Sequence, residues 1–458
     1  MSASRLRVGA AAVPFTPAPG HELAGYAARQ SPAGGALDDL ACRVVVFGHR
    51  GVTLALVVAD LLYVPAALTA AIRAGVGREL GTPPDHVMVA ATHTHCGPAV
   101  GAGHEDLHAE IARSAVAAAA AAVRDARAAE LRRVRFDVTG LVHNRRDPAG
   151  PVDRTGTALV AVDDAGEVVA SLVGLACHPT VLGPATAEYS RDFPGTLCDT
   201  VEAACGGRAV FVQGFAGDIN PIFHDQSAAD MRLLGRQFGV RAADAILTAL
   251  RAALPNRTIN LSRDRDLPVP LDRADTVLDV PALAAAAADV AVEAKAPPAQ
   301  ERIRRELAAA RAAVASAGSG AVRDRATATA QQWWIEDLMA ARPSYLCVDF
   351  PPAAGATLPV QVFALGGFRL IALPGEPLTT SADRLRDELG DDVLPIGYAN
   401  AAASYLPVRE DFSRRGYEVG STRHAPGTVE RLTGTVLALA RDLPGTTDAG
   451  RGGKRSGP

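Results

Sequence analysis

The feature that most constrains this chain is a repeated unit. An apolar run of strand length ends on a polar residue, and a break and a helical stretch follow. "VTLALVVAD" closes on Asp60, and an Ala-rich helical segment begins near Ala66. "HVMVAATHTH" ends on His93 and His95 and precedes the helical pattern of "EDLHAEIARSAVAAAAAAVRDARAAE". "TALVAVDDAGEVVASLVGLACH" reads as a hairpin turning at Asp164-Ala165-Gly166 and ending on His178. "RAVFVQGFAGDINP" runs into Asp218, and "QVFALGGFRLIALPGEP" turns at Gly366-Gly367 and ends on Glu376. "DVLPIGYANAAASYLP" carries on to Tyr405. This alternation predicts an α/β fold with a central mixed β-sheet flanked by helices. In such sheets ligands gather outside the carboxyl ends of strands, where His93, His95, His178, Asp218 and Glu376 fall.

The texture changes from about 280 to 342. "PALAAAAADVAVEA", "AQERIRRELAAARAAVA" and "ATAQQWWIEDLMAA" read as an Ala-rich helical insertion within one catalytic domain spanning 1–444. Its Trp333-Trp334 pair fits either a substrate entrance or core packing. The Gly-, Ser- and Arg-rich end, 445–458, reads as a disordered tail. A net charge of -4 gives no footprint for nucleic acid. No run has the length of a membrane span, and Pro14 and Pro17 interrupt the apolar N-terminus, so no signal peptide is read. The six cysteines form no CxxC pair and mostly lie in apolar runs, which predicts buried free thiols and a cytoplasmic protein.

His93 and His95 are two residues apart, so an extended backbone turns both imidazoles to one side. Imidazole is the commonest metal ligand and suits zinc, although a strand-end histidine bonded to backbone also fits the pattern. His178 ends a similar apolar run and is stopped by Pro179. Glu376 lies between prolines, where a carboxylate can cap a helix or bind a metal. Two histidines and a glutamate match a common catalytic zinc shell with one position left open.

These residues carry a resemblance. The chain resembles the catalytic domain of the neutral/alkaline (non-lysosomal) ceramidase family. The blocks are "LAGYAARQSPAGGALDDLACRVVVF", "THTHCGP", "HNRRDP", "CHPT", "YSRDFPG", "PGEP", "YANAAASYLPV" and "RGYEVGST", in family order from about Leu6 to Gly427. The Ala-rich insertion lies outside the resemblance, and the chain looks too short for the C-terminal immunoglobulin-like domain of longer members. The resemblance implies a zinc ion held by His93, His178, Glu376 and Tyr405. It implies an arginine near the reacting carbonyl, Arg145, with His95 and Tyr417 close to the metal and Asn144 and Asp192 contacting substrate. One position departs. Where the family reads Gly-Asp-Val-Ser-Pro with a nucleophilic serine, this chain reads "GDINP", with Asn220 at that place. An amide is no nucleophile, but it donates and accepts hydrogen bonds.

The expected function is therefore zinc-dependent hydrolysis of an amide bond in a small, partly apolar molecule by metal-activated water. Arg145 and Asn220 would stabilise the oxyanion, and His95, Asp218 or Tyr417 would pass the proton to the leaving amine. Two alternatives stay open: an esterase, lactonase or acyl transferase at the same site, and a binding protein that keeps the metal without catalysis.

Overall fold

A computed structural model describes residues 5–252, 258–260, 265–267, 275–295 and 355–445, apart from 27, 28, 30, 102 and 415, together with Arg305, Ala308, Ala309 and Ala312. The largest sheet runs, in spatial order, through Arg208–Gln213, Val168–Leu175, Thr155–Asp163, Arg127–Asp137, Arg7–Pro14, Ala41–His49, Val52–Ala59 and Val87–Ala91. Asp275–Leu278 also pairs with Arg127–Asp137. A second sheet orders Leu283–Ala291, Thr357–Leu365, Phe368–Ala372 and Val393–Ile396. Parallel and antiparallel ladders occur in both, as the mixed-sheet reading required. Both predicted hairpins form, with Gly166 and Gly366 taking the positive φ that their tight turns need.

The strand ends do not converge by sharing one direction. Five antiparallel ladders separate the pair Val52–Ala59/Val87–Ala91 from the pair Val168–Leu175/Arg208–Gln213. They meet because the large sheet folds over. Leu56, Val58 and Met88 from one half share a core with Leu172, Val210 and Val212 from the other, and with Phe363, Leu370 and Ile396 of the second sheet. The segment after Val393–Ile396 then ties the ends together. Gly397 N donates to Gln213 O at 2.9 Å, and Asn400 N donates to Val89 O at 2.7 Å.

Helices cover the outer faces. Ala66–Leu80 and His108–Arg124 lie over Val44, Val57 and Val89. The alanines of His108–Arg124 let its backbone come close enough that a side chain at Gly9 would collide with the Ala122 carbonyl. Asp192–Cys205 and Ala228–Ala252 cover Phe211, Val160 and Val173. Among the described residues no helix is long and apolar enough to cross a membrane. Five of the six cysteines are described, and all five are free thiols, four of them buried.

One expectation is corrected. The alanine-rich stretch 281–294, read above as the first helix of the insertion, contains the strand Leu283–Ala291, which pairs antiparallel along its length with Thr357–Leu365. Alanine's helix propensity is worth only tenths of a kcal/mol per residue, and pairing with an existing strand edge overrides it. Arg305, Ala308, Ala309 and Ala312 are helical. Trp333, Trp334 and nearly all of the tail lie outside the described residues.

The turn that delivers Glu376 depends on Gly375. Its φ is +63°, and a Cβ there would collide with the Ser404 carbonyl. A left-handed conformation costs a residue with a side chain about 1–2 kcal/mol before any clash. Gly375→Ala should therefore lower unfolding stability by at least that much in urea titration. An unchanged midpoint would mean that the turn tolerates a side chain.

Candidate metal centre

Four of the expected residues come together at one buried point. His93, His95 and His178 offer ligand atoms all within 4.8 Å of one another. Glu376 Oε2 lies 3.5 Å from His93 Nε2 and 3.1 Å from His178 Nε2. His95 Nε2 is 3.4 Å from His93 Nε2.

Backbone carbonyls set the histidine tautomers. His93 Nδ1 is 2.9 Å from Leu62 O, and His178 Nδ1 is 2.7 Å from Ala216 O. A carbonyl only accepts, so each Nδ1 carries the proton and each Nε2 keeps a lone pair when the ring is neutral. Burial, then the charge of Arg145, pushes His178 down to about 4. Burial and the neighbouring His93 also push His95 well below its ordinary value. Burial raises the Glu376 carboxyl, but His93 and His178 beside it prevail and hold it well below the usual carboxylate range. His178 Nε2, Glu376 Oε2 and His95 Nδ1 are buried without a hydrogen-bond partner. Of these, His178 Nε2 and Glu376 Oε2 face each other at 3.1 Å, an arrangement that fits a cation.

Short local structures build the rest. Glu376 and Tyr405 are register partners in a two-residue parallel pairing. Ile219–Pro221 pairs with Val142–Asn144, which puts Asn220 opposite His143, two residues before Arg145. Arg145 is held on several sides. Its Nε donates to Glu418 Oε1 at 2.9 Å, and one terminal nitrogen donates to Gly217 O at 2.8 Å and to the Tyr405 hydroxyl at 3.0 Å. The other terminal nitrogen is 3.4 Å from Asn220 Oδ1. Tyr417 stacks edge-on to Tyr405 with ring centres 5.5 Å apart and remains 44% exposed.

The other expected residues take supporting places. Asn144 spends its whole amide on protein: Nδ2 donates to Pro151 O and Asp218 Oδ2, while Oδ1 accepts from the amides of Arg146 and Asp147. Asp218 Oδ1 accepts from both N and Oγ1 of Thr379, at the start of the helix Thr379–Leu389. Asp218, not Glu376, thus satisfies that helix start. Asp192 is buried and accepts from the amides of Leu182 and Phe193, which fixes the loop that follows His178.

Three side chains at the site were not singled out from sequence. The Tyr63 hydroxyl donates to Glu376 Oε1. Tyr398 stacks on His93 with ring centres 4.0 Å apart. Glu418 pairs with both Arg145 and Arg146. Strand-end position was the available signal for Tyr63, which follows shortly after Asp60, whereas Glu418 lies in the short helix Tyr417–Ser421 and its signal was only its place in the "RGYEVGST" block. Glu418 is almost fully buried, and removing one partner of a buried ion pair strands the other charges. Glu418→Ala should cost about 3 kcal/mol in urea unfolding; a loss below about 1 kcal/mol would show that water replaces it.

No family model matches the chain. A 108-residue segment, 22% of this chain and 17% of the relative, is 32% identical to a neutral ceramidase of Mycobacterium tuberculosis. A 110-residue segment, 21% of this chain and 16% of the relative, is 32% identical to a neutral ceramidase of Pseudomonas aeruginosa. The chain therefore matches well under two thirds of these relatives' lengths in sequence. The crystal structure of neutral ceramidase from Pseudomonas aeruginosa is similar with a TM-score of 0.70 at 20% identity, over 96% of this chain and 75% of that one. A ceramidase complexed with C2 gives 0.71 at 19% identity, over 97% and 77%. The fold is that of these ceramidases.

Proposed function

We propose, from its sharing the neutral ceramidase fold and matching those enzymes over about a fifth of its length, that this chain is a zinc-dependent hydrolase of an amide bond in a small, partly apolar molecule. Metal-activated water would replace the serine nucleophile. The observation that carries this reading is the buried approach of Glu376 Oε2 to His178 Nε2 at 3.1 Å, where neither atom has a hydrogen-bond partner.

His93, His178 and Glu376 would hold the ion, with Tyr405 brought alongside by its pairing with Glu376. Zinc bound there supplies Lewis acidity and water acidic enough to react near neutral pH. The chain's own groups do the remainder. Arg145 is locked by Glu418, Gly217 and Tyr405, so its charge is already in place for an oxyanion. Asn220 turns Oδ1 toward Arg145, which leaves its Nδ2 protons for the substrate oxygen. His95, whose Nε2 faces the cluster 3.4 Å from His93, would take the proton from the attacking water and pass it to the leaving amine. Asp218 is committed to Thr379 and Asn144 and serves as scaffold, as do Asn144 and Asp192. Tyr417, half exposed beside Tyr405, lines the approach.

Two experiments test this. Purified protein should bind about one zinc per chain, while Glu376→Ala and His178→Ala should lose most of that affinity together with activity on a panel of matched amides and esters. Full zinc content and full activity in either variant would remove these residues from the shell. Asn220→Ala should slow turnover by about 10²–10³, the scale of one oxyanion donor, without abolishing it. No burst and no mass-shifted protein should appear, and an acyl adduct trapped on any side chain would overturn the direct attack of water.

A further inference from the structure

Residues 62 and 63 hold two different members of the cluster. Leu62 O accepts from His93 Nδ1, and the next residue's hydroxyl, Tyr63 OH, donates to Glu376 Oε1. The loop is itself fixed from behind, where Asp60 Oδ2 accepts from Ala41 N at 2.9 Å. Tyr63 is 1% exposed, and its ring packs 5.3 Å from His93 and 6.2 Å from Tyr398. A hydroxyl in such a place has one proton to give, and Oε1 takes it. The other carboxylate oxygen, Oε2, is the one that faces His93 and His178 and has no hydrogen-bond partner.

From this juxtaposition we infer that Tyr63 is a positioning residue that makes Glu376 a one-oxygen ligand. It occupies Oε1 so that only Oε2 is presented to a cation, and it fixes the rotation of the carboxylate. The inference rests on the zinc reading above. It predicts a specific division of labour. A carboxylate released from Tyr63 is free to turn and to grip a metal with both oxygens, which raises the coordination number and fills the position that a hydrolytic site leaves open.

The test uses the full chain. Zinc affinity is measured by chelator competition for the wild type, Tyr63→Phe and Tyr63→Gln, and the visible spectrum of each is recorded with cobalt(II) in place of zinc. Tyr63→Phe keeps the ring and its packing and should bind zinc about 10–100-fold more weakly, the scale typical of groups that orient a ligand. Its cobalt spectrum should lose intensity relative to the wild type, as expected when coordination rises above four. Tyr63→Gln, which keeps a donor, should recover part of both. If Tyr63→Phe folds only when metal-loaded, the rate of zinc release from the loaded protein takes the place of the affinity. Equal affinity, or an equal release rate, with an unchanged cobalt spectrum would overturn the inference. A wild-type protein that takes up neither zinc nor cobalt would instead sink the zinc reading on which it depends.

Discussion

The approach of Glu376 Oε2 to His178 Nε2, 3.1 Å apart in the interior, is the constraint around which this protein is built. With Nδ1 donating to Ala216 and the ring neutral, both facing atoms carry lone pairs. Two acceptors at that distance repel unless a proton or a cation lies between them, and in a low-dielectric surrounding the repulsion is strong. A protein that merely needed stability would replace such a pair with apolar side chains. This one keeps the carbonyls of Leu62 and Ala216 aimed at the two Nδ1 atoms, so that the Nε2 lone pairs have to point inward.

The backbone bears a cost for holding these groups. His93 has a φ of +66°, Tyr398 +56°, Ser404 +57° and Asp192 +52°. None is glycine, and such conformations cost about 1–3 kcal/mol each unless the surroundings dictate them. All four belong to the site or lie one step from it. His93 is a member of the cluster, Tyr398 stacks on it, Ser404 precedes Tyr405, and Asp192 anchors the loop after His178. The folded-over sheet and the 397–400 bridge supply the rigidity that keeps them there. Arg50 and Gln226 also take positive φ elsewhere, but these four lie where buried lone pairs meet, which is a physical argument for function that does not depend on any relative.

Much of this was legible in the sequence, for identifiable reasons. The strands and hairpins were readable because apolar runs of strand length end on polar residues or turn at Gly, and the cluster was readable because its members are those polar ends. His93, His178 and Glu376 follow Val87–Ala91, Val168–Leu175 and Phe368–Ala372. What was not legible is anything that depends on pairing between distant segments. The alanines of 283–291 carry a helical preference, and only the edge of Thr357–Leu365 makes them a strand. Nor does local pattern reveal that a tyrosine at 63 meets a glutamate at 376, or that Asn144 and Asp218 engage each other and a helix start rather than facing outward. Local pattern likewise does not reveal strand direction, and the strand ends converge through a sheet folded over on itself.

The asparagine at 220 has a place in the same logic. A serine nucleophile needs a base to remove its proton, and it needs that base aimed at its hydroxyl. Here the side chain that meets position 220 is Arg145, a permanent cation that accepts no proton. An amide suits that neighbour. Its carbonyl oxygen can face the guanidinium while its amino group faces the other way, so the two side chains form a continuous set of donors. The buried carboxylate of Glu418 balances the charge of Arg145 from the far side, which lets the guanidinium stay in the interior without drawing Glu376 away from the histidines. The departure at 220 therefore leaves the electrostatic half of the site intact. On the proposed reading, the nucleophile would then be water activated at the cluster of His93, His178 and Glu376.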